Sequence, residues 1–194
     1  SAKIKELGLE SRQNRGEFEE IARSFRELGI ALVIAILLTY LVLVLQFKSF
    51  SQPFIMLFTI PMAFIGVFPA IYLTKSDLGF LELLGVTILV GIVENVAIFL
   101  IDYANQLRRE ENIGVKEAII RASGVRFRPI LLTKLVALGG LLPLAIESDF
   151  WRGLSVVIIA GIGVSGFLSL VIIPILYVWI DAGRTRFHRR LSRA

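Results

Sequence analysis

The sequence predicts an all-α membrane protein: a bundle of five transmembrane helices, amino terminus facing out and carboxyl terminus cytoplasmic. Three observations carry that reading. Residues 28–47, 49–74 and 153–180 contain no Asp, Glu, Lys or Arg, giving uncharged runs of 20, 26 and 28 residues in a chain of 194. About 20 apolar residues suffice for a helix to cross a bilayer. Only 19% of the residues are charged and the mean hydropathy is +0.77, whereas a soluble domain carries about 25% charge. The third observation is the asymmetry of the charges that flank the runs. A soluble single-core domain is excluded, and the absence of cysteine excludes a disulfide scaffold.

The first span is expected at about 28–47, LGIALVIAILLTYLVLVLQF. The second, about 53–73, carries Pro53, Pro61 and Pro69; membrane helices tolerate proline where neighbours re-satisfy the freed carbonyls. The third, about 82–104, has Glu94 in its middle, and the fourth, about 129–146, contains Lys134. The fifth, about 153–180, holds Gly161, Gly163, Gly166 and Pro174. Gly85, Gly91, Gly139 and Gly140 read as positions of close helix packing. Residues 1–27 are polar and contain no signal peptide. Phe18, Ile21, Phe25 and Leu28 form a helical stripe running into the first span. Within the long 105–128 connection, Val115, Ala118, Ile119 and Ala122 recur at helical spacing. This predicts an amphipathic helix over about 113–123 on the cytoplasmic surface, its arginines serving topology and lipid headgroups.

Five spans place the chain ends on opposite sides. Segments 48–52, 105–128 and 181–194 together carry net +8, while 1–27, 74–82 and 147–152 carry net −2. The positive-inside rule then puts the carboxyl terminus and its basic tail, 182–194, in the cytoplasm. The overall +5 is accounted for by these loops, so no nucleic-acid partner is expected. His188 lies in that tail and reads as solvated. No metal-ligand spacing, nucleophile triad or phosphate loop is present, so neither an enzyme nor a cofactor or metal is expected.

The segment GIVENVAIFLIDYANQLRRE from Gly91 and VRFRPILLTKLVALGGLLPLA over 125–145 resemble the resistance–nodulation–division (RND) efflux permeases. LVLVLQFKSFSQPF (41–54) and VSGFLSLVIIPILYVWID (164–181) match in the same order and spacing. The resemblance implies that the five spans are the last five of the family's twelve. Residues 1–27 would be the end of a periplasmic porter region, with the amino-terminal half of the permease missing. It further implies a bacterial inner-membrane location and proton-driven export of amphiphilic or toxic solutes. A homotrimer working with a periplasmic adaptor and an outer-membrane channel is implied too. Asn95 matches the relay position of the family's tenth helix, and Arg126 and Thr133 match relay positions of the eleventh. Glu94 and Lys134 depart from the family's usual residues. The alternatives are a non-transporting scaffold or a lipid- or sterol-sensing bundle of the same fold, and a channel.

The residues themselves give expectations of contact. Intramembrane ionisable groups cost roughly 2.5–3.5 kcal/mol each on insertion scales and usually find partners. Glu94 lies about 13 Å from the cytoplasmic end of its span and Lys134 about 9 Å from the end of the next, at 1.5 Å per residue. A buried Glu94–Lys134 pair is therefore expected. Asn95 and Asp102, and likewise Arg126 and Thr133, are seven apart, so their polar faces can meet. Asp102 is expected to pair with Arg126 or Arg128 at the interface. Thr133 has the local alternative of bonding the carbonyl four residues back.

Overall fold

The computed structural model describes residues 2–75 and 79–191, with side chains described over 22–75 and 79–181. Among the described residues, seven helices form five segments long and apolar enough to span a membrane: Ala22–Phe47, Ser51–Thr74, Phe80–Glu110, Val115–Glu147 and Arg152–Asp181. The extra two helices arise because the second and third spans are each interrupted. The side chains of the basic tail, His188 among them, lie outside those described.

α1 (Ala2–Phe47) is one helix through the polar leader and the first span. It stops at Lys48, which adopts a left-handed φ of 48° and so turns the chain out of the helix. α2 (Ser51–Leu57) and α3 (Thr59–Thr74) make up the second span. Their junction at Phe58 follows from Pro61, which cannot donate to the carbonyl four residues back and whose ring crowds it. The Phe58 N–H bonds the Ile55 carbonyl at 3.2 Å instead, and the Thr59 hydroxyl donates to the Met56 carbonyl at 2.7 Å. These local bonds keep backbone groups satisfied where no water reaches them.

α4 (Phe80–Val93) and α5 (Asn95–Glu110) form the third span. The Gly79 N–H at its start donates to Glu82 Oε2 at 3.0 Å. α6 (Val115–Glu147) is a single 33-residue helix containing both the predicted amphipathic segment and the fourth span. Pro129 removes one ladder bond without ending it. One face of the predicted amphipathic segment is covered by the bundle, while Lys116, Glu117, Ile120 and Arg121 stay exposed. Ala118, Ile119 and Ala122 are buried against Ala104 and Leu107 of α5, because the bundle itself supplies their apolar partner. Arg121, which stays half exposed, meets Glu111 at 2.7 Å and Glu117 at 2.6 Å. α7 (Arg152–Leu191) completes the fold.

α7 is the central post, packing most extensively on α3, α6 and α4. Two cores are stacked along it. One gathers Leu43, Ile55, Leu100, Ile119 and Ile173; the other gathers Val67, Val90, Leu154, Val157 and Ile162. The outer spans differ sharply from the inner ones. Only 6% of the most apolar window is buried in α1 and in α6, against 44–56% in the other three spans. Leu37, Leu41 and Leu45 on α1 and Leu132, Leu135 and Val136 on α6 are exposed, so these faces are left to lipid or to other protein.

Close approach of α3 to α7 depends on Gly66. A Cβ there would stand 2.5 Å from the Ala160 carbonyl oxygen and 2.7 Å from Val164 Cβ. Gly85 is a milder case, 3.1 Å from the Leu154 carbonyl. Gly91, Gly139 and Gly140, expected to serve the same purpose, would meet nothing within 4 Å. They sit on the outer flanks of their helices, where small size brings no neighbour closer.

Candidate functional site

The third span is interrupted at its acid. α4 stops at Val93 and α5 begins at Asn95, with Glu94 between them at φ −72° and ψ −19°. The ladder resumes where the Ile98 N–H bonds the Glu94 carbonyl at 3.1 Å. No proline lies in this span, so the interruption has a different origin from that at Phe58. Glu94 is 2% exposed and shares a helix face with Val90, Ala97 and Ile101, all equally buried. Its Oε1 has no hydrogen-bond partner. Asn95, one residue on, starts the open face that continues through Phe99 and Asp102, all exposed.

Lys134 reaches that second face, away from the first. Its stem runs beside Gly166 of α7, with Cδ and Cε 3.4 Å from where a Cβ would stand. Its Nζ is buried without a hydrogen-bond partner. It lines a cavity of about 180 Å³ together with Asn95, Phe99, Thr133 and Ile162. The expected Glu94–Lys134 ion pair is therefore absent among the described residues. Depth along the helices allowed the pair, but direction around them did not. Adjacent helical residues point about 100° apart at 3.6 residues per turn, and Lys134 meets Asn95's side.

The other predicted residues are placed as follows. The Thr133 hydroxyl donates to the Pro129 carbonyl at 3.0 Å and the Ile130 carbonyl at 2.9 Å, the local alternative named above. Asn95 and Thr133 do share a cavity wall. Arg126 stacks its guanidinium 4.7 Å from the centre of the Tyr103 ring, and its Nε is buried without a hydrogen-bond partner. Asp102 pairs with neither Arg126 nor Arg128. Arg126 is held over the tyrosine, and Asp102 faces a second, larger cavity of about 700 Å³.

Beside that cavity lies a polar network which the sequence reading missed. Gln52 and Asn105 exchange two amide hydrogen bonds of 3.2 and 3.0 Å. The Tyr177 hydroxyl donates to Asn105 Oδ1 at 2.6 Å and accepts from Arg108 at 3.3 Å. Arg108 also lies 3.5 Å from Asp181. These residues tie α2, α5 and α7 together at one end of the bundle. Replacing Asn105 with Leu leaves the Gln52 amide unpaired and the Tyr177 hydroxyl proton without its acceptor, and a buried polar group left unsatisfied costs about 1–3 kcal/mol. A melting temperature several degrees below native is expected for Asn105→Leu, and none of this change for Gln106→Leu, whose amide bonds only exposed Glu110. Equal melting of Asn105→Leu and the native chain would show the network to be dispensable.

Stacked cores around a central helix, with charged groups buried between apolar spans, define a multi-pass membrane protein. Residues 10–181 match the model of the AcrB/AcrD/AcrF family, and the chain belongs to that family of RND efflux permeases. It is 36% identical over 193 residues to "Multidrug resistance protein MdtC" of Yersinia pseudotuberculosis and of Yersinia pestis. Those alignments cover 95% of this chain and 19% of the relative, so the chain spans about a fifth of the relatives' length. Two crystal forms of a heavy metal efflux pump superpose with TM-scores of 0.76 and 0.74 at 31% and 30% identity. Each match covers 86% of this chain and 16% of the pump.

Proposed function

We propose that the chain forms the eighth to twelfth helices of an RND permease that exports amphiphilic or toxic solutes on the proton-motive force. In this reading the permease lies in a bacterial inner membrane, as a homotrimer with a periplasmic adaptor and an outer-membrane channel. Residues 1–27 descend from its periplasmic porter region. The multidrug and heavy metal efflux relatives support export of solutes that are harmful inside the cell.

One observation carries the mechanistic part. Glu94 Oε1 and Lys134 Nζ are both buried without a hydrogen-bond partner, an arrangement that a purely structural role does not explain. An unpaired buried charge is destabilising by about 3–5 kcal/mol. Groups kept at such cost inside a membrane are, by default, parts of an ion or proton path. Lys134 opens with Asn95 and Thr133 onto a cavity lined from α5, α6 and α7, beside the sparsely covered α6. There a group from another part of the permease completes the path, passing a proton to or from Lys134. Arg126 and Asp102 stand further along the same two helices and extend it, and Glu94 serves as a second protonation point behind Asn95.

The test is a graft of this chain in place of the matching segment of a full-length multidrug-resistance relative, in a host lacking its own pumps. The graft should raise resistance, and a protonophore should abolish the rise. A graft that reaches the membrane and confers no resistance overturns the reading. Topology is tested separately at Ser192 and Ser76, which lie outside the described residues. In intact cells a membrane-impermeant thiol reagent should label Ser76→Cys and spare Ser192→Cys; the reverse pattern would invert the proposed orientation.

A further inference from the structure

The cavity of about 700 Å³ at the end of the bundle carries basic residues, Lys48, Arg108 and Arg109, that the transport reading does not use. It opens between the end of α1 and the last turns of α5, and Lys48, Arg108 and Arg109 line it against a single acid, Asp102. Arg108 is engaged with Tyr177 and Asp181. Lys48 and Arg109 stand in no hydrogen bond or ion pair among the described residues. The wall beside them is a row of donors and acceptors, Gln52 and Asn105, held rigid by their reciprocal bonds. Two free cations on a fixed polar wall suit a phosphate diester.

The surroundings say how that phosphate arrives. Leu38, Leu41, Val42 and Leu45 form one stripe on α1, each more than half exposed, and one turn beyond Val42 the exposed Gln46 lines the cavity, with Lys48 following at the end of the helix. A polar, cationic pocket at the end of an apolar, lipid-facing stripe matches an amphiphile with its head in the pocket and its chains along α1. Basic pockets between membrane helices bind anionic headgroups in this way. We propose that this cavity is a binding site for an anionic phospholipid, its phosphate held by Lys48 and Arg109 and its acyl chains lying on the outer face of α1. The proposal rests on the chain spanning a membrane and is independent of what is exported.

Short-chain phosphatidylglycerol, phosphatidylcholine with the same acyl chains, and soluble glycerol phosphate are titrated separately into the detergent-solubilised protein. Binding is followed by the rise in melting temperature. Phosphatidylglycerol should bind at least tenfold tighter than phosphatidylcholine, and glycerol phosphate should give no shift at the same concentrations. Lys48→Gln and Arg109→Gln should each weaken phosphatidylglycerol about fivefold, and the double variant about thirtyfold, at the strength of one surface-lipid charge contact apiece. Lys75→Gln, at the opposite end of the second span, should bind like the native protein. Circular dichroism confirms that each variant keeps its helix content, and Lys48→Arg, which keeps the charge, should bind phosphatidylglycerol normally. Equal affinity for the two lipids, a glycerol phosphate shift as large as the lipid's, or a double variant of native affinity would each overturn the proposal. The first would make it a general lipid groove and the second a free-phosphate site.

Discussion

Lys134→Met is expected to reduce the resistance conferred by the grafted permease to that of the host alone, while the variant chain itself melts several degrees higher than native. The two effects have one cause. Lys134 Nζ is buried without a hydrogen-bond partner within this chain, so methionine of similar length removes a charge whose insertion costs roughly 2.5–3.5 kcal/mol and keeps the packing of the stem against Gly166. A proton path would lose its cation at the same time. Glu94→Gln should behave alike. Because the two residues face different sides of α5, a double-mutant cycle on stability should be additive within about 0.5 kcal/mol; an ion pair would instead let the second substitution recover the loss caused by the first. Full resistance with Lys134→Met would remove this residue from the path.

Gly66→Leu should prevent the bundle from assembling, and Gly66→Ala should already lower its melting temperature. α3 and α7 make the most extensive helix contact in the fold. The first atom that a new Cβ meets is a backbone carbonyl oxygen at 2.5 Å, which cannot rotate aside as a side chain can. The helices must separate, and overpacking of this kind costs about 1–3 kcal/mol for one methyl. Membrane helices associate largely by such close packing, since lipid tails are as apolar as leucine. Gly91→Ala is the matched control, because its Cβ would meet nothing within 4 Å. A Gly66→Leu protein that is extracted and melts like the native chain would show that α3 and α7 are not seated as described.

Where the sequence was legible, the bilayer was the reason. A span must be long, helical and almost free of charge, so the three uncharged runs located the first, second and fifth segments, and the apolar stretches around Glu94 and Lys134 the other two, without any knowledge of their neighbours. The Gly91 and 125–145 motifs likewise carried the family, since their order and spacing are properties of the chain alone. Even the restraint of Thr133 by its own helix was readable, because that bond is local. Other features were not. The 113–123 segment was read as a surface helix because its apolar stripe is real, but whether lipid or α5 covers the stripe is decided by where α5 lies. Pro61 signals the break at Phe58, while nothing in the sequence signals the interruption at Glu94.

The sharpest division concerns direction around a helix. Counting residues gave Glu94 and Lys134 comparable positions along their helices, because the helical rise is constant. It did not determine which of them meet, because that depends on how each helix is rotated against α7 and its other neighbours. Packing turned Glu94 into the core, gave Lys134 to Asn95 and drew Arg126 over Tyr103. It also joined Gln52 to Asn105 across 53 positions of sequence. Length, span number and family are sums over local properties of the chain; partners of buried polar groups are set by the simultaneous fit of several helices, which only the tertiary structure decides.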